Sequence, residues 1–126
     1  MRFISDRVQA EWKSPKLSIT TRLIVEDAAR IAKSLGWEML LTCIYRTQTE
    51  DESLGGSGIH VAWRAVDVRT RDVKLEKIDK VVALVNNKWE YDPKRPTMTV
   101  AYAKPHGSGL HIHFQSTFST HIRPIK

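Results

Sequence analysis

The sequence predicts an α+β domain: a small, mostly antiparallel sheet with helices packed on one of its faces. Two segments of helical apolar spacing, 18–35 and 72–89, are separated by short apolar runs that suit strands. The last of these runs, LHIHFQ (110–115), alternates strictly. It puts Leu110, Ile112 and Phe114 on one face and His111 and His113 on the other. A chain of 126 residues, 41% hydrophobic and 27% charged, can bury one core without staples, so a single domain over 1–126 is expected.

Residues 1–17 read as an irregular N-terminal arm, with Pro15 before the first periodic segment. In the first helix Leu23, Ile24, Ala28, Ile31, Ala32 and Leu35 share a face, Ser18 is placed to cap the start, and Gly36 follows the end. WEMLLTCIYR (37–46) is short and apolar enough for a strand, and TQTEDESLGGSG (47–58) is a polar loop of a length that often carries function. HVAWRAVDVRT (60–70) contains a strand around Ala65 to Arg69. Asp72 is placed to cap a second helix, striped by Ile78, Val81, Val82 and Val85 and running to about Trp89. After a turn at YDPKRP (91–96), TMTVAYA (97–103) and LHIHFQ form a hairpin around KPHGSG. Residues 117–126 read as a C-terminal tail, with His121 on the surface.

No window approaches eighteen consecutive apolar residues, which excludes a helical membrane span. The opening MRFISDRVQAEW carries charges where an apolar signal core would run, so synthesis in the cytoplasm without a signal peptide is expected. Cys43, the only cysteine, permits no internal disulfide and is expected to pack as a small hydrophobe within MLLTCIY. The net charge of +6 suits an anionic partner, nucleic acid or an envelope polymer. Its basic residues are spread along the chain, so a solubilising surface accounts for them equally well.

Metal sites recruit histidine and carboxylate at positions that strands and loops bring together, and a catalytic zinc keeps three protein ligands and an open position. His60, Asp67, His111 and His113 are the pieces available. In one unbroken strand His60 and Asp67, seven residues apart, would face opposite ways, so convergence requires a bend between Val61 and Arg64. Asp67 lies among apolar residues in AVDV, where an unpaired carboxylate is costly. A metal would offset that cost, and so would a salt bridge to Arg64 or Arg69.

The pattern His-x6-Asp with a distant His-x-His resembles the zinc peptidases that include D-alanyl-D-alanine carboxypeptidases and L-alanyl-D-glutamate endolysins, whose fold the hedgehog signalling domain shares. The family's first motif, S-x-H-x-x-G-x-A-x-D, is met here by GIHVAWRAVD (58–67), which keeps His60, Ala65 and Asp67 but has Gly58 for the serine and Trp63 for the glycine. CIYRTQTEDE (43–52) is similar to the family's Tyr-Arg-Ser/Thr strand end, and GLHIHFQ (109–115) to its closing strand. The resemblance covers residues 20–116 in element order and implies a hedgehog/D-Ala-D-Ala-peptidase-like fold.

It further implies Zn2+ held by His60, Asp67 and His113, with zinc polarising the scissile carbonyl and lowering the pKa of water toward ~7. Many relatives place a glutamate base three residues before the last ligand, where this chain has Leu110. His111 is then assigned as base and Arg46 as the group holding substrate oxygens. His106 is a candidate second polar contact, Trp63 a candidate wall of the cleft, and Glu50, Asp51 and Glu52 are further candidates to reach into the site from the long loop. The implied activity is hydrolysis of peptidoglycan stem-peptide amide bonds, as a carboxypeptidase or an endolysin-type endopeptidase. A phage or prophage lysis enzyme fits, acting on the cell wall after release and as a monomer.

Two other readings use the same residues. Histidine-hydrophobe-histidine is also the metal motif of single-strand DNA nickases, for which Tyr45, Tyr91 and Tyr102 would be candidate nucleophiles. That reading gives His60 and Asp67 no role, and nucleic acid is not the expected partner. The third is a catalytically inactive binding module of the same fold.

Overall fold

Helices α2 (Ile19–Ser34) and α4 (Leu75–Lys88) pack on each other and on one face of a five-stranded sheet. The computed structural model describes residues 1–106 and 109–124, the side chain of His106 excepted. The sheet runs β1 (Arg2–Phe3), β2 (Leu40–Cys43), β3 (Ala65–Arg69), β6 (Gly109–Gln115) and β5 (Ala101–His106), in that spatial order, and only the β1–β2 pair is parallel. Two-residue strands β4 (Trp89–Glu90) and β7 (His121–Ile122) form a separate ribbon. The architecture is therefore α+β with a mostly antiparallel sheet, as the sequence predicts.

Alternation along the strands divides the sheet into two chemistries. Leu41, Val66, Val68, Ala101, Ile112 and Phe114 are fully buried toward the helices. Each large side chain among them contributes about 1.5–3 kcal/mol on burial. This apolar face carries the packing and leaves the other face to polar groups. Strand register aligns Cys43, Asp67, His113 and Tyr102 in one transverse row there, and Leu40, Arg69, His111 and Lys104 in the next.

Cys43 reaches that row through a bulge. The β2–β3 register shifts between Leu41 and Cys43, so both Thr42 and Cys43 fall against Asp67. Simple alternation would have sent Cys43 into the core with Leu41. Instead it is half-buried on the polar face, and Ile44 takes the next core position. The expectation of a core-packed thiol is corrected accordingly.

Residues 1–17 contain β1 and helix α1 (Asp6–Lys13) where an irregular arm is expected. Ser5 accepts the Val8 amide at its start, Val8 is buried, and Trp12 packs beside it four residues on. The charges interleaved among these residues mask the short apolar stripe. Glu11 accepts the Tyr45 amide at 3.1 Å, and Arg7 bridges Glu11 and Glu50 at 2.8 and 2.9 Å. Helix α1 thus braces the chain as it leaves β2.

The long polar loop holds helix α3 (Gln48–Ser53), started by a capping box between Thr47 and Glu50. Asp72 does not cap α4. It sits at φ +67° in a turn, a conformation aspartate tolerates better than most residues, and Lys74 occupies the N-cap. Strand β5 begins at Ala101 and runs through Lys104, Pro105 and His106, later than the expected 97–103. At its start Asn86 of α4 accepts the Ala101 amide at 3.0 Å and donates to the Ala101 carbonyl at 2.8 Å.

Candidate functional site

Asp67, only 4% exposed, is the hub of the polar face. Its Oδ1 lies 2.8 Å from His113 Nδ1 and 3.7 Å from His111 Nε2. Its Oδ2 lies 3.3 Å from His60 Nε2 and 3.5 Å from Arg46 Nη2. Burial pushes the Asp67 carboxyl up, but His113 and His60 outweigh it and hold the group far below the usual carboxylate range.

His60 arrives by the bend that its spacing demands. Residues 58–63 form a tight turn, with Ala62 donating to Gly58 and Trp63 to His60, before β3 begins. His60 Nδ1 donates to the Ile44 carbonyl at 2.9 Å, which orients the ring and directs the buried Nε2 at Asp67. His113 is pinned in the same manner. Its Nε2 donates to Gln115 Oε1 at 3.1 Å, and Gln115 is itself oriented by donating to Thr99 at 2.9 Å. Each imidazole therefore presents its other nitrogen to Asp67. Carbonyl acceptors behind metal-ligating histidines produce this orientation.

The donor atoms of Cys43, His60 and Asp67 lie within 4.8 Å of one another, a group that can hold a metal ion. Cys43 is the member that sequence reasoning misses, because nothing in MLLTCIY announces the bulge. With no metal bound, His60 holds a proton at neutral pH. Burial alone would lower its pKa, but Asp67 and Cys43 raise it to about 9. A metal must displace that proton. Apparent affinity for a divalent ion is therefore expected to climb about tenfold per pH unit until about pH 9 from this group. Competition titrations against a chelator indicator at several pH values measure the slope.

Arg46 lies beside the cluster, nearly buried, with Nη1 3.4 Å from Asp51 Oδ1. Asp51 comes from α3 and accepts the Gly58 amide at 2.9 Å. A Cβ at Gly56 would overlap its carboxylate, so a larger residue there would push the Asp51 side chain out of its place. Of the three acidic residues in the loop, Asp51 alone turns inward. Glu50 faces Arg7, and Glu52 pairs with Gln48. His111 is buried beside Asp67, while the His106 side chain lies outside the described residues.

Trp63 adopts φ +59°, the left-handed region that favours glycine. Its ring stacks on Tyr45 at 4.5 Å and packs against the core. Trp63→Ala loses the stack and keeps the strain, whereas Trp63→Gly loses the stack and relieves the strain. The glycine variant is expected to be the more stable of the two by about 1 kcal/mol, read from paired denaturant unfolding curves.

A cavity of about 620 Å3 opens beside the cluster, with Cys43, Arg46, Asp67, Arg69, Arg71 and His111 in its walls. Trp63 is not among the residues lining it. Family models, curated proteins and solved structures offer no match to this chain.

Proposed function

We propose that the protein is a zinc-dependent peptidase that hydrolyses amide bonds of peptidoglycan stem peptides, with a hedgehog/D-Ala-D-Ala-peptidase-like sheet. One observation carries the reading. His60 Nε2 and His113 Nδ1 are both aimed at Asp67, each with its far nitrogen tied to a carbonyl oxygen. Those two nitrogens and the carboxylate are donor types that zinc takes, and among the described residues the group whose donor atoms lie close enough together to hold an ion is Cys43, His60 and Asp67, without His113. Zinc held there would polarise the scissile carbonyl and acidify the attacking water.

The chain's own residues supply the rest. His111, in the row next to the ligands and on the same face, takes the water proton and passes it to the departing amine. Arg46, held by Asp51 and Asp67, positions a substrate carbonyl or carboxylate oxygen. Burial of the histidines keeps bulk water from competing for these contacts. A role in phage or prophage lysis, acting on the wall after release from the cytoplasm, follows from the same reading.

The test is incubation of zinc-loaded protein with a synthetic stem pentapeptide, with products identified by mass spectrometry. Cleavage that stops on chelation and returns with zinc is expected. Tight zinc binding with no cleavage would favour a binding module. Metal-dependent nicking of single-stranded DNA with a covalent tyrosine adduct would favour the nickase, for which Tyr102, its ring 5.0 Å from that of His113, is the nearest candidate.

A further inference from the structure

The cavity beside the cluster carries more positive charge than the cluster consumes. Arg46 is engaged by Asp51 and Asp67. Arg69 and Arg71 also line the cavity, and neither has an ion pair or side-chain hydrogen bond among the described residues. Asp72 is the one carboxylate beside Asp67 in the walls, and it makes no salt bridge with either arginine. Arg69 stands in the row of His111, one row along from Asp67. Leu75 and Ile78 add apolar wall to the same space.

We propose that Arg69 and Arg71 form an anion subsite that receives a free carboxylate of the peptide substrate, about two residues from the amide being cleaved. Adjacent rows on one face of a sheet are about 7 Å apart. An extended peptide advances about 3.3–3.6 Å per residue. A substrate whose scissile amide sits in the Asp67 row therefore brings a group two residues away to the Arg69 row. A guanidinium fork matches a carboxylate there in geometry as well as charge. The apolar wall accommodates the aliphatic part of the same residue. The substrate class is thus an acidic peptide, and the inference rests on the peptidase reading.

The decisive comparison uses zinc-loaded protein and L-Ala-γ-D-Glu-L-Lys-D-Ala-D-Ala in three forms: fully free, amidated at the D-Glu α-carboxylate, and amidated at the C-terminus. One of the two amidations is expected to lower kcat/KM by about 10–100-fold, the range of a charge-assisted contact. That ratio should fall toward one in Arg69→Gln and Arg71→Gln, and Arg69→Lys should keep part of it. Thermal melts of each variant confirm folding. Equal cleavage of all three peptides by the wild type overturns the subsite and leaves the peptidase standing. So does a ratio that survives in both glutamine variants. Resistance of all three peptides with zinc bound overturns both.

Discussion

Asp67→Ala is expected to strip the protein of zinc and to cost well over 100-fold in kcat/KM. Outer-sphere partners of metal ligands are themselves worth about 10–100-fold, and Asp67 is proposed as a ligand. The carboxylate also does something no other residue near it can do. It is the negative charge shared by Arg46, His60, His111 and His113, within 3.7 Å of each. Without it, a nearly buried guanidinium loses one of its two carboxylate partners and protonated His60 loses its counter-charge. Breaking a buried pair in this manner costs about 3–5 kcal/mol, so the metal-free variant should unfold at distinctly lower denaturant. Asp67→Asn keeps the shape and removes the charge, which separates electrostatics from packing. Elemental analysis and denaturant melts of the three proteins decide the matter. Undiminished zinc in both variants would remove Asp67 from the metal's ligands.

The second large effect concerns His111. His111→Gln should retain one zinc per chain while kcat falls by about 100- to 10,000-fold, the usual worth of a positioned acid or base. Glutamine preserves much of the side chain's volume but cannot carry a proton between water and amine. If His111 is the base, the variant's remaining activity should also lose the pH limb expected from it in the wild type. Loss of zinc in His111→Gln would make the residue a ligand. Full activity would place the base elsewhere.

Much of this site is legible in the sequence because it depends on strand alternation. Strand β3 falls at Ala65–Arg69 as expected, and the hairpin puts His111 and His113 on one face. The need for a bend after His60 follows from the odd spacing to Asp67, and the turn at 58–63 supplies it. Trp63 adopts a left-handed φ of +59°, a conformation that its sequence context does not announce. What stays hidden depends on register and on distant partners. A one-residue bulge moves Cys43 from the core face to the polar face, and no local pattern encodes it. Asp51 is one of three consecutive acidic residues, and only the glycine at 56 and the guanidinium of Arg46 select it. Helix α1 is short and highly charged, and its value lies in Glu11 and Arg7 reaching residues more than thirty positions away.

The pairing of Asn86 with Ala101 bears on how copies of this protein treat one another. At the outer border of β5 that amide fills the places a foreign strand would take, satisfying both backbone groups of Ala101. Farther along the same border Pro105 has no donor to offer, and Lys104 brings charge. The opposite border, β1, is two residues long. Intermolecular β-stacking needs a long run of vacant donors and acceptors. Neither border supplies one among the described residues, so edge-to-edge association at high concentration is expected to be weak.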